Sequence, residues 1–191
     1  KADVGNAKDV AELFNACDNT LGPVSLLVNN AGIIGKATTV ANLPDDALAR
    51  TFEVNVYGTI YCAREAIQRM ATSKGGNGGV IVNISSVAAR LGSPGEYVHY
   101  ASSKAAIETF TVGLAKEIGG EGIRVNALQA GTTDTDIHRS SGNPDRPAMV
   151  AAMSPLGRVA SPDDIAAGIL WLASTESSYV TGAILPVSGG L

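Results

Sequence analysis

This chain has little sulfur and little aromatic surface. Cys17 and Cys62 are its only cysteines, too few for a disulfide framework or a zinc quartet. Both fall in helix-like segments, where buried free thiols in a reducing, cytoplasmic compartment are expected. Its two histidines, His99 and His138, have no convergent cysteine or acid spacing, so no metal site is expected. No apolar run reaches the roughly 18 residues of a membrane span. No basic segment followed by an apolar stretch opens the sequence, so no secretory signal is expected. A formal net charge of −4 argues against nucleic acid or anionic lipid as the main partner. A Gly-x-Ser-x-Gly turn is absent, and with it the strained nucleophile of a serine hydrolase.

What the chain does have is apolar residues, at 45%, and 22 glycines, against about 13 at average usage. The apolar fraction rules out wholesale disorder, and 191 residues suit a single domain. The glycines follow no collagen-like period and are expected at tight turns and close backbone approaches. Gly75-Gly76-Asn77-Gly78-Gly79 reads as a flexible surface connection.

Helix and strand patterns alternate. Val10, Leu13, Phe14 and Cys17 form an amphipathic stripe behind a candidate N-cap, Asn6. Gly22-Pro23 ends that helix, and residues 25–28 read as a short buried strand. A long helix follows over about 45–70, then a strand over 80–84, a helix over 101–118 and a strand over 124–128. Pro162-Asp163-Asp164 opens another helix. In the last strand, 183–187, Pro186 cannot donate to a ladder, which marks a sheet edge. The repetition implies an α/β fold, a parallel sheet covered by helices on both faces. Ligands of such sheets bind beyond the carboxyl ends of the strands, here residues 29–32, 85–89 and 129–135.

Tyr100 and Lys104 are spaced i, i+4 and share a helix face. An ammonium beside a phenol favours the phenolate, so such a tyrosine can exchange a proton near neutral pH. Alone, the pair carries little weight. Ser85 and Ser86, at a strand's ligand-binding end, can bond a substrate oxygen, and the small residues of Asn29-Asn30-Ala31-Gly32 allow a ring to approach the backbone. Asn55 interrupts an apolar helix pattern and needs a hydrogen-bonding task. Trp171 lies in an apolar stripe, where a core or subunit contact is the default.

Together these residues resemble the short-chain dehydrogenase/reductase family. The matching segments are Asn29-Asn30-Ala31-Gly32, Val54-Asn55-Val56-Tyr57-Gly58, Asn83-Ile84-Ser85-Ser86, Tyr100-Ala101-Ser102-Ser103-Lys104, Arg124-Val125-Asn126, Pro155-Leu156-Gly157-Arg158, Tyr179-Val180-Thr181-Gly182 and Val187-Ser188-Gly189-Gly190. They occur in family order over essentially the whole chain. The resemblance implies a Rossmann-like doubly wound sheet and hydride transfer between NAD or NADP and a small alcohol or carbonyl compound. It implies that Tyr100 is the acid/base and that Ser86, rather than Ser85, polarises the substrate oxygen. Lys104 would assist Tyr100 and bond the nicotinamide ribose, and Asn55 would hold a water in a proton relay. Asp3 and Val4 would contact the adenine. Asn29, Ala31 and Gly32 would form a cofactor wall, with Gly131, Thr133 and Thr135 near the carboxamide. The helices over 45–70 and 101–118 resemble a dimer-forming pair, which implies a homo-tetramer or homo-dimer.

Two features depart from the family pattern. Its N-terminal strands and Gly-rich phosphate loop would precede Asp3, on the order of 60 residues of strand–helix units. No glycines here replace that loop, since Gly75–Gly79 precedes a strand instead of following one. The residue that selects NAD or NADP goes with it. The strand over 25–28 is therefore expected to have an open edge, and a fragment of a longer chain is expected over a naturally short one. This favours a second class of reading, a catalytically impaired fragment or a non-enzymatic oligomerisation subunit. A sugar-nucleotide epimerase or dehydratase shares the Tyr–Lys pair but carries a longer C-terminal substrate region. The second departure is Ala130-Gly131 in place of Pro-Gly, which frees a φ angle and predicts a more mobile loop. Polar residues over 134–153, among them Asp136, His138, Arg139, Ser140, Ser141, Asn143, Asp145 and Arg146, hint at a polar substrate such as a sugar or polyol; a 3-oxoacyl-like compound is the other candidate.

Overall fold

The computed structural model describes residues 1–137 and 146–191. Its centre is a four-stranded, wholly parallel sheet in the order β1 (Leu26–Asn29), β2 (Gly79–Ser86), β3 (Ile123–Ala130) and β4 (Ile184–Val187). Helices cover both faces, as the alternation predicts. On one face α1 (Ala7–Leu21), α3 (Gly58–Met70) and α5 (Val98–Ile118) close a core through Val10, Phe14, Cys62, Met70, Ile81, Leu114 and Val125. On the other, α7 (Pro162–Ala173) packs Ile165 and Leu172 on Val82 and Leu128. β1 pairs only with β2 among the described strands, and Leu26 at its start is exposed. Pro186 lies on the opposite edge, in β4.

The helix caps follow the sequence. Asn6 Oδ1 accepts from Lys8 N–H at 2.9 Å. Ser161 and Asp164 form a reciprocal capping box at the start of α7, which satisfies two of the donors a helix start leaves free. No helix among the described residues is long and apolar enough to cross a membrane.

Four expectations change. The helix over 45–70 is not uniform: α2 (Asp45–Phe52) passes into a π turn, Glu53–Tyr57, before α3. Gly58 N–H reaches back five residues to Glu53 O. A Cβ on Gly58 would lie 2.8 Å from Val4 Cγ2, so this close approach admits only glycine. The glycine run is an exposed turn at Gly75 and Asn77, as expected, but it is closely packed at Gly78. Gly78 N–H donates to Met70 O at 2.8 Å, its φ is +74°, and a Cβ there would meet Gly122 O at 2.4 Å. The loop after β3 is tied down without proline: Gly131 N–H bonds Val187 O, and Asp134 N–H and Thr132 O bond Ala160. Of the two thiols only Cys62 is buried, with Cys17 half-buried. Two short helices lack a periodic signal, α4 (Ala88–Leu91) and α6 (Arg146–Met153). The polar residues His138, Arg139, Ser140, Ser141, Asn143 and Asp145 lie outside the described residues.

Candidate active site

A cavity of about 730 Å³ opens where the carboxyl ends of β2 and β3 meet the start of α5. Chain topology brings Gly32, Ser86, Tyr100, Lys104, Gly131, Thr133 and Thr135 to its wall. Asp3, Val4, Asn29, Ala31 and Asn55 are not on that wall.

β2 runs on to Ser86, and strand alternation then separates the two serines. Ser85 points towards α5 and is buried; its Oγ donates to Glu108 Oε1 at 2.7 Å and lies 3.3 Å from Lys104 O. Both serines line the cavity, but Ser86 is only half-buried, and its Oγ accepts from Ala88 N–H at 3.2 Å.

α5 begins at Val98, so Tyr100 and Lys104 stand on consecutive turns of one regular helix. Lys104 Nζ lies 5.8 Å from the Tyr100 ring centroid and donates to Ile84 O at 2.7 Å. Burial pushes the Lys104 ammonium down from 10.5 to about 8, because desolvation penalises the charged form.

Asn55 is buried one layer behind the wall. Its Nδ2 donates to Ile33 O at 2.9 Å and to Ser103 Oγ at 3.0 Å, and its Oδ1 accepts from Ile33 N–H at 2.9 Å. The amide thus fastens the segment after β1 to α5. His99, which the sequence left without a part, fixes the next residue: its Nε2 lies 3.1 Å from Ile34 O. Asn29 turns inward, donating to Asn83 Oδ1 at 2.9 Å. Asp3 accepts from Gly5 N–H and from Arg50 Nη2 at 2.7 Å, and these bonds hold its carboxyl below the usual range.

Three residues here escaped the sequence reading. Tyr97 lines the cavity, and Ser103 and Glu108 serve residues beside it. Only Glu108 left a trace, as an acid one helical turn beyond Lys104. Much of the described wall is apolar, including Ile34, Val87, Leu91, Ile137 and Met153.

The parallel sheet with a cavity at its carboxyl edge is Rossmann-like, and the comparisons place the chain among oxidoreductases. The family model described as Enoyl-(Acyl carrier protein) reductase matches residues 1–191. The chain belongs to the short-chain dehydrogenase/reductase family of NAD(P)-dependent enzymes. It is 46% identical over 190 residues to the uncharacterized oxidoreductase YgfF of Escherichia coli, covering 100% of this chain and 77% of that protein. It is 36% identical to the L-rhamnose 1-dehydrogenase (NAD(P)(+)) of a Sphingomonas species, covering 100% of this chain and 74% of the other. The crystal structure of a short-chain type dehydrogenase/reductase from Mycobacterium marinum superposes with a TM-score of 0.91 at 29% identity, over 99% of this chain and 73% of that one. A metagenomic blue fluorescent protein in complex with NADPH superposes with a TM-score of 0.87 at 33% identity, over the same shares.

Proposed function

We propose that this chain carries the catalytic site of an enzyme that transfers hydride between NAD(P)(H) and a secondary alcohol or ketone, with Tyr100 as acid/base. The observation that carries this reading is the convergence of Ser86, Tyr100 and buried Lys104 on one cavity wall.

The residues present fit the nicotinamide ribose. Lys104 gives one of its three hydrogens to Ile84 O, which leaves two for ribose hydroxyls. Gly32 offers bare backbone, where a Cβ would sit 3.4 Å from both Asn55 Oδ1 and Lys104 Nζ. When bound, the nicotinamide supplies the hydride to the carbonyl carbon or takes it back.

In the reduction direction, Ser86 Oγ and the Tyr100 hydroxyl both donate to the carbonyl oxygen and polarise it. Tyr100 then hands over its proton as negative charge develops on that oxygen. The Lys104 ammonium stabilises the resulting phenolate in a site of low dielectric. Protons return to Tyr100 through Lys104. Asn55 organises that relay by holding Ile33 and Ser103, since its amide is committed to them. Asp3, Val4, Asn29 and Ala31 belong in this reading to the approach of the cofactor's remaining parts, and Gly131, Thr133 and Thr135 to its carboxamide end. The apolar wall favours a substrate with an apolar body over a sugar or polyol.

Tyr100→Phe tests the assignment. Turnover is expected to fall by about 10³-fold or more, while NAD(P)H binding, followed by nicotinamide fluorescence, changes little. Retained turnover would overturn it. The second reading, a catalytically impaired chain or a non-enzymatic oligomerisation subunit, makes a different prediction for dinucleotide binding. Titration calorimetry with NAD and NADP separates the two, because heat of binding from either dinucleotide removes that reading. Exposed Leu170 and Trp171 on α7 and Tyr57 at the head of α3 support assembly into a homo-tetramer or homo-dimer. Light scattering that finds only monomer would refute it.

A further inference from the structure

Glu108 has no part in the reaction proposed above, yet it joins the three elements that build the site. Ser85 and Gln129 are register partners on β2 and β3, and both are buried, at 1% and 2% exposure. Ser85 Oγ and Gln129 Nε2 donate to the same oxygen, Glu108 Oε1, at 2.7 and 2.8 Å. Bonds to an ionised acceptor are shorter and about twice as strong as neutral ones. Glu108 itself is half-buried, so the carboxylate keeps part of its hydration. One carboxylate oxygen thus ties two neighbouring strands to α5, one turn beyond Lys104.

The place of this node matters more than its strength. Ser85 directly precedes Ser86, and Gln129 lies two residues before Gly131; both Ser86 and Gly131 line the cavity. Lys104 bonds back to β2 at Ile84 O. Without Glu108, that bond, the 3.3 Å contact from Ser85 Oγ to Lys104 O and the bond from Asn83 to Thr111 one turn further on would be the polar ties from β2 to α5, and no side chain would tie α5 to Ser85 and Gln129 together. Gln129 would lose its acceptor in a buried place, and a buried amide without a partner draws water or shifts the backbone.

We propose that Glu108 is a positioning residue. Its carboxylate sets Ser86, on the sheet, at working distance from Tyr100 and Lys104, on the helix. The proposal rests on the catalytic reading above for its meaning, but its geometry can be tested without turnover.

The test compares Glu108→Leu, Glu108→Gln and Ser85→Ala in the full chain with two readouts. In steady-state kinetics, Glu108→Leu is expected to lower kcat by about 10- to 100-fold, as small misplacements of reacting groups do, with KM changed far less. Glu108→Gln keeps an acceptor oxygen for both donors and is expected to remain within about threefold of the parent. The second readout is the ultraviolet absorbance titration of Tyr100, taken as the difference between each protein and its Tyr100→Phe counterpart. Glu108→Leu is expected to raise the midpoint by about one unit, since a displaced ammonium favours the phenolate less. Glu108→Gln should leave it in place. If Glu108→Leu fails to fold, Ser85→Ala carries the same readouts with almost no change in volume, and a smaller upward shift is expected. A folded Glu108→Leu, or in its absence Ser85→Ala, with the parent's midpoint would overturn the proposal. If the parent protein turns over no alcohol or carbonyl compound, the catalytic reading fails, and the titration still decides whether Glu108 sets the geometry of Tyr100.

Discussion

The two ends of α5 meet the sheet by different physics. Towards its C-terminus, Leu114, Ala115 and Ile118 press on Ile81, Ile123 and Val125, an apolar contact closed by Met70. From its N-terminal half to just past its middle, Lys104 donates to Ile84 O, Glu108 accepts from Ser85 and Gln129, and Thr111 Oγ1 accepts from Asn83. Apolar packing stabilises by area and tolerates small slides. Hydrogen bonds in a low-dielectric interior fix distance and direction, and are costly when broken. The apolar end therefore holds the fold together, and under the reading proposed above the polar stretch sets where the catalytic atoms stand. Arg124 shows the same division beyond α5. Its guanidinium donates to the carbonyls of Leu172, Ser174 and Val180, so this motif residue locks the end of α7 to the sheet and lies away from the cavity.

The strongest way to break the contrast is Lys104→Met. Turnover is expected to fall by about 10³-fold although the protein stays folded, with kcat measured beside circular dichroism. Ile81→Ala, at the apolar end, should do the reverse. It should lose about 3 kcal/mol of stability, the usual cost of a cavity in a packed core, with kcat per folded molecule unchanged in urea-titrated samples.

A pH series sharpens the same contrast. The folded-state pKa of Lys104 is depressed from 10.5 to about 8, so between those values the unfolded chain binds the extra proton. Stability from this group is fully present above 10.5, and is lost as pH falls through about 8. The difference over that window is about 3 kcal/mol. Urea unfolding at pH 7.5 and 9.5 should show parent stability rising with pH, and Lys104→Met should lack that rise. The smallest effect is expected from Thr111→Val, which leaves Asn83 Nδ2 without its 2.9 Å acceptor and should cost about 1–2 kcal/mol while moving kcat by less than about threefold.

Much of this was legible in the sequence. The Asn6 cap, the strand cores, the edge position of Pro186 and the spacing of Tyr100 and Lys104 are local patterns, and local patterns repeat in the folded chain. The preference for Ser86 over Ser85 came from the family resemblance; both residues line the cavity, and the Ser85 hydroxyl is bonded to Glu108 on α5. The π turn at Asn55 was not legible, because a single polar residue in an apolar run does not say how the helix accommodates it. Neither was the packed turn at Gly78, whose need for glycine comes from Gly122 O on a distant loop.

The sequence by itself determined the order of strands and helices, their caps and the shared helix face of Tyr100 and Lys104, since each depends on neighbours within a few positions. Only the tertiary structure decided what Arg124 and Asn55 hold, and that Glu108 joins Ser85 to Gln129. Those partners lie 20 to 50 residues apart along the chain and become neighbours only through strand register and helix docking, which no local spacing encodes.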